Sequence, residues 1–422
     1  MPDSIKRKKF LALLSTCILV LVFVSMSLFC HSGKQQLNQR LQELRDQGYP
    51  TKLSDLEDIP TTPYDTNNAS LLYVDALTHF TSGSIDLAQL ERNLPMAAQA
   101  LDDPNQKLIQ ETLTDHEDIL VLLHQAAKME HCYHPIDYTT GEFSPRIPLL
   151  STTKLIRLLS LETFNYSEQN NPTAAYESIE AGIELTNFFD NPINLIYYML
   201  RNLGQNHIIR SLQRVFNRVP LSEQQLEHLS VTLEDWLITN GLAQAFAAER
   251  CQMLHGMQQA PKHSKIMYLW SGLGLLDRDK LHYIDLMQVE IDITHLPYHQ
   301  QLAAAQQHSE SFKKFHSPFL RGFNHRQLNN FLKHHLNTIA QIHLAHTAIA
   351  IERYKLAVGI QPDTLEDLIP QYITTIPQDP ITGVSLRYQS SEKGYRLFYP
   401  DTNSTSSIKR DSQDLSFAVS RL

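Results

Sequence analysis

The chain has 422 residues, with 36 Lys and Arg against 45 Asp and Glu, a net charge of −9, 42% hydrophobic residues and 19% charged ones. That composition is globular and excludes a disordered or fibrous chain. The acidic balance argues against a nucleic-acid partner, and the length allows two folded units behind the N-terminal segment.

The N-terminus carries the most specific signal. Lys6, Arg7, Lys8 and Lys9 precede residues 11–30, LALLSTCILVLVFVSMSLFC, which hold no charge. A helix of that length spans roughly 30 Å, the thickness of the bilayer hydrocarbon. Residues 1–10 hold four cations and one anion, so the remainder carries 32 against 44, a charge of −12. The positive-inside rule then puts residues 1–10 in the cytoplasm and the rest outside. The alternative is a cleaved signal peptide. Its apolar region is shorter, about 7–15 residues, and it ends in small residues, which Ser27-Leu28-Phe29-Cys30-His31 does not supply.

Residues 31–66 read as a stalk and loop. Leu37, Leu41 and Leu44 keep helical spacing, Gly48 and Pro50 stop it, and Pro60, Pro63, Asn67 and Asn68 mark the loop. Residues 67–339 read as consecutive helices. Asn68 is placed to cap ASLLYVDALTHF. Residues 152–188 form a helix-turn-helix around Asn170-Asn171-Pro172, similar to a tetratricopeptide unit, but no copy follows 34 residues on. The array is therefore irregular. Ser222 and Gln225 have capping-box spacing, and a last long helix runs from about Asn324 to Leu356. The apolar stretch 266–276, IMYLWSGLGLL, is too short to cross a bilayer and is expected in the core; an interfacial patch touching the membrane is the other reading. Beyond Gly359 the texture changes. TLEDLI reads as a short helix with a capping box from Asp363 to Glu366. Residues 384–389 and 394–399 read as one β-hairpin, and 401–422 as a polar tail. The fold class is thus mainly α: a single N-terminal transmembrane helix, an irregular helical array and a small C-terminal α+β module.

Residues 340–400 end in AIERYKLAVGIQPDTLEDLIPQYITTIPQDPITGVSLRYQSSEKGYRLFYP, in which Asp379, Pro380 and Gly383 form a D-P-x-x-G element. This segment resembles the C-terminal half of the major pseudopilin of type II secretion: a long helix, a proline with a short helix, then D-P-x-x-G and a hairpin. The prepilin-peptidase pattern is absent. Phe10 follows Lys9, and Leu14 stands where that family has a glutamate. The calcium loop of that family is reduced here to Asp401 and neutral oxygens, too few charged ligands for a hard cation. NNASLLYVDAL, PLSEQQLEHL and AAERCQM also look like stretches of uncharacterised bacterial membrane-anchored helical proteins that share this ending. The resemblance implies a two-membrane bacterium, hence an inner-membrane anchor, a periplasmic bulk and no particular activity.

Several constellations have both a chemical and a purely structural reading. His131, Cys132, Tyr133 and His134 place three potential ligands in four residues. His343 and His346 lie three apart behind His334 and His335. Such spacing can hold zinc, but no H-E-x-x-H occurs, and packing or surface roles are the expectation. Asp115, Glu117 and Asp118, or Glu177, Glu180 and Glu184, offer paired carboxylates; the second set reads as a solvated helix face. Glu249 and Arg250 in an apolar helix read as a structural ion pair. Cys132 and Cys251 either pair or stand as inert thiols. No G-x-S-x-G and no phosphate-cradling glycine motif occurs, so no nucleotide is expected. No catalytic, cofactor or metal residue is assigned, and no cofactor. The expected role is interaction or scaffolding with protein partners, the membrane being bound through residues 11–30. The alternative is a membrane-tethered, zinc-dependent hydrolase.

Overall fold

The computed structural model describes residues 2–56, 68–80, 86–95, 97, 99–132, 149–189, 194–238, 241–312, 325–400 and 415–421. The chain enters as one continuous helix, α1 (Pro2–Asp46), closed by Gly48 at φ +83°. Its two halves behave differently. Leu37 and Leu44 are buried against α12 (Leu275–Thr294), and Arg40 Nε lies 2.8 Å from Asp285 Oδ1. The segment expected as a stalk is therefore packed into a core. Upstream, Leu14, Ile18, Leu21, Val24 and Leu28 are exposed. Among the described residues no helix is long and apolar enough to cross a membrane. Within 11–30 the side chains of residues 11–13, 17, 19, 20, 22, 23 and 26 lie outside the described set.

The array follows as α2 (Ala69–Thr78), α3 (Leu87–Asn93), α4 (Asp103–Asp115), α5 (Glu117–Ala126), α6 (Leu149–Glu168), α7 (Pro172–Asn187), α8 (Leu195–Arg218), α9 (Glu223–Ile238), α10 (Gly241–His263), α11 (Lys265–Gly272), α12, α13 (Tyr298–Phe312) and α14 (His325–Val358). Local chemistry sets many of the ends. Asn68 Oδ1 accepts from Ser70 N at 3.1 Å, and Asn171 Oδ1 accepts from Ala174 N at 3.2 Å. Ser222 and Gln225 close a reciprocal capping box, with Ser222 N to Gln225 Oε1 at 2.9 Å. The α6–α7 pair is the expected helix-turn-helix; Asn170 makes its turn at φ +55°.

Helix α8 is the hub. It packs against α6, α7, α10 and α14 and is buried almost all round, with Arg201, Gln205, His207 and Arg214 among its covered residues. Buried charge requires partners. Glu168 Oε1 takes Arg214 Nη2 at 2.6 Å and Arg218 Nε at 2.7 Å, and Glu91 takes Arg157 and His207. The expected ion pair tying helices together does not form at Glu249 or Arg250 among the described residues. Arg250 is fully buried, donates to Gln288 Oε1 at 2.6 Å and to Pro50 O at 3.0 Å, and stacks on Tyr49. Glu249 points elsewhere, its carboxyl pushed up by burial. Successive helix positions point about 100° apart and do not face each other.

The C-terminal segment is continuous with the array. The short element after Gly359 is a 3-10 turn, Leu365–Leu368, and its capping box is Thr364 with Asp367, one residue beyond the expected pair. Strands β1 (Arg387–Ser391) and β2 (Gly394–Phe398) make the expected hairpin. The polar tail does not stay apart: Ser416–Ser420 is a third strand, β3, antiparallel to β2 with Leu397 opposite Phe417. The sheet is three-stranded, in the order β1-β2-β3. Tyr395, Leu397 and Tyr399 share one buried face and join Ile349 of α14, Leu212 of α8 and Leu229 of α9 in a common core. Two further cores lie under α2–α6 and between α1, α10 and α12. The D-P-x-x-G element is a self-capped turn. Asp379 accepts from Ile381 N at 2.9 Å and Thr382 Oγ1 at 2.6 Å, and Gly383 sits at φ +72°. Cys132 and Cys251 are not joined by a disulfide; the Cys251 thiol is buried and pushed up to about 12 by desolvation.

Candidate interaction site

Two grooves on the array converge polar groups over apolar floors. The first, of about 930 Å³, lies among α5, α6 and α7. It gathers the expected Glu177, Glu180 and Glu184 with Glu117, and adds Glu162, His124 and His228. Buried Glu162 Oε2 is bound at 2.8 Å by both His124 Nε2 and Ser178 Oγ. The bond to Glu162, followed by its charge, raises the His124 imidazole above its ordinary value. On the opposite wall His228 Nδ1 meets Tyr176 Oη at 2.9 Å and Glu180 Oε1 at 3.5 Å. Burial first, then Glu180, pushes the Tyr176 hydroxyl up. The groove is anionic in lining, but its buried acid serves helix packing. Asp118, expected alongside Glu117, turns instead to His79 Nδ1 at 2.6 Å, which lowers its carboxyl.

The second groove, of about 700 Å³, runs between α8 and α14 and reaches β3. Ile196 and Met199 line it and are 49% and 40% exposed, unusual for apolar side chains on the hub helix. Its polar lining includes Arg210, His334 and carboxamides: Asn206 and Gln213 from α8, Asn337 and Gln341 from α14. Asn206 Nδ2 donates to Thr338 Oγ1 at 3.2 Å, but the buried Oδ1 atoms of Asn206 and Asn337 have no hydrogen-bond partner among the described residues. Buried acceptors of this kind are normally satisfied. A carboxamide offers both donors and an acceptor, the complement of a peptide backbone. An apolar floor with a few convergent amides suits a bound segment of polypeptide.

The four helix histidines divide: His343 and His346 line a third groove with His299, Glu234 and Asp379, while His334 and His335 lie elsewhere. His334 lines the second groove, while His335 faces away, lies 2.6 Å from Tyr198 Oη through its Nδ1 and is pushed down to about 4 by burial and then Arg201. His343 is also held near 4, by burial and then His346, and lies 3.5 Å from Tyr399 Oη. His346 meets Ser230 Oγ at 3.0 Å and Glu234 Oε1 at 3.2 Å. Among the described residues no three His, Cys, Asp or Glu side chains converge as metal ligands. Tyr133 and His134 lie outside the described residues. The amide groove had no counterpart in the sequence reading. Its signal was faint: Asn202, Asn206 and Gln213 recur at helical spacing in α8, and Asn337 and Gln341 do so in α14. No protein family, curated protein or solved structure matches this chain.

Proposed function

We propose that this chain is a bitopic inner-membrane protein with a helical scaffolding domain, and that the α8–α14 groove binds a segment of a protein partner. Residues 11–30 are the anchor, residues 1–10 are cytoplasmic, the bulk is periplasmic, and 340–400 is a pseudopilin-like module fused to the array. The observation that carries the interaction reading is the groove lining itself: exposed Ile196 and Met199 share it with the carboxamides of Asn206 and Asn337, whose Oδ1 atoms have no hydrogen-bond partner among the described residues. The anchor reading is supported by the charge step at residue 10 and by the exposed apolar side chains upstream of residue 29. The zinc-hydrolase alternative would need a converging set of donors, and none lies among the described residues.

The test is site-specific photocrosslinking of the full chain in native membranes. A photoreactive residue at Met199 should give a discrete adduct with another protein. The same residue at exposed Val231, outside the groove, should not. Asn206→Leu combined with Asn337→Leu should remove the adduct. Equal labelling from both positions would sink the groove assignment. A C-terminal reporter active only in the cytoplasm would sink the topology.

A further inference from the structure

The stretch 266–276 was expected in the core, and the structure contradicts this. Helix α11 has no buried residue. Ile266, Tyr268 and Leu269 are each about two-thirds exposed, and Leu273 is exposed as well. Positions 266, 269 and 273 follow i, i+3, i+7 spacing and so form one stripe. The helix is pinned to the protein beside that stripe. Trp270 packs on the core between α10 and α12, and its Nε1 donates to Asp279 Oδ2 at 2.8 Å. The stripe is thus held outward by a fixed helix.

Its position explains what covers it. The end of α11 touches α1 where the apolar run stops. Cys30 Sγ lies 3.9 Å from Gly272 O, and a Cβ on Gly274 would stand 2.8 Å from Cys30 Cα. The Arg278 guanidinium sits 3.6 Å from the centre of the Phe29 ring. The C-terminal end of the α11 stripe therefore lies at the level where the exposed apolar side chains of α1 stop. Charge follows the same pattern. In a chain of net charge −9, residues 251–276 contain no Asp or Glu, and Lys262 and Lys265 flank a groove of about 470 Å³ beside Tyr268 and Leu269.

We infer that α11 is a second membrane contact: its stripe lies in the outer interface of the bilayer that α1 crosses, with Lys262 and Lys265 on anionic lipid headgroups. This rests on the anchor reading of residues 11–30. An apolar face rimmed by lysines and an interfacial tyrosine is what headgroup-level helices require. Two contacts instead of one would fix the tilt of the array over the membrane, which a single helix leaves free to rotate.

The experiment uses the full chain in phosphatidylcholine vesicles, with and without phosphatidylglycerol. A carbene precursor dissolved in the acyl phase is photolysed and its adducts are mapped by peptide mass spectrometry. Label is expected in 11–30 and in 265–276, the latter rising with phosphatidylglycerol. Ile266→Ser with Leu269→Ser and Leu273→Ser should drop the 265–276 label to background while leaving that in 11–30. Lys262→Gln with Lys265→Gln should abolish only the rise. Label in 11–30 alone overturns the inference and spares the anchor. Label in neither overturns both. Crosslinks joining the 265–276 segments of two copies, with no lipid label there, would mean that a second copy covers the stripe and would also overturn it.

Discussion

Tyr395 Oη donates to Glu352 Oε1 at 3.1 Å and to Ala348 O at 3.3 Å, joining the middle strand of the sheet to α14. Arg421 Nη2 holds the other oxygen of the same buried carboxylate at 2.5 Å. One residue of the helix thus collects β2 and the segment beyond β3. Tyr395→Phe keeps the ring in its core and removes only the hydroxyl. It should cost about 1–2 kcal/mol, since it leaves Glu352 one bond short. Denaturant unfolding of the full chain reads this; an unchanged midpoint would mean that Arg421 alone satisfies the carboxylate.

Leu397 tests whether sheet and array fold as one unit. It is fully buried in the core shared with α8, α9 and α14. Leu397→Asp puts an unpaired carboxylate there, at a cost of several kcal/mol, on the order of 3 or more. Because the core is common, the whole helical transition should shift to lower temperature. Calorimetry that shows an unmoved helical transition, with the sheet alone becoming protease-sensitive, would make the two parts independent.

Much of this architecture was legible where the chemistry is local. The caps at Asn68 and Ser222, the turn at Asn170 and the β1–β2 hairpin are each written within a few residues. What failed depends on distant partners. The segment Ser416–Ser420 becomes a strand because β2 and the α8 amides receive it: Gln213 and Asn217 both donate to Ala418 O. Five residues after a polar stretch carry no such message. Composition also cannot separate an apolar helix that faces a core from one that faces outward, so 266–276 was misread. The groove was invisible for the same reason, since Asn206 and Asn337 are far apart in the chain and meet only after α8 and α14 pack.

Glu290 gives a pH-dependent prediction. It is 1% exposed on α12, and burial pushes its carboxyl up to about 7. Its folded value lies above the unfolded one, so its protonated form stabilises the fold fully below about pH 4.5, and that contribution is lost as the pH rises through 7. Glu290→Gln mimics the protonated acid at every pH. It should leave stability near pH 4 unchanged and raise it at pH 8 by up to about 3 kcal/mol. His335 has the opposite sign: its depressed value favours the fold above about 6.5 and weakens it as the pH falls toward 4. Comparing the variant with the parent at each pH cancels that contribution. A variant no more stable than the parent at pH 8 would mean that Glu290 ionises there without penalty.

Gly394 opens β2, and its requirement is steric. A Cβ built on it would lie 1.9 Å from Val419 O and 2.7 Å from Val419 C. Both obstacles are backbone of the neighbouring strand, so no rotamer change relieves the clash. Gly394→Ala should therefore push β3 away from β2. With β3 go the bonds from Gln213 and Asn217 to Ala418 O, the bond from Ser420 N to Asn217 Oδ1, and the Arg421–Glu352 pair. Gly383→Ala is the control. Gly383 also has positive φ, but the nearest atom to its built Cβ is His299 Cβ at 3.6 Å, so only backbone strain of about 1 kcal/mol applies. Hydrogen exchange separates the two. In Gly394→Ala the amides of residues 416–420 should lose protection while β1 pairing persists, whereas Gly383→Ala should leave them protected. Protection of Phe417 and Val419 that survives the Gly394 change would show that the strand can slide past the new methyl group, and the steric argument would fail.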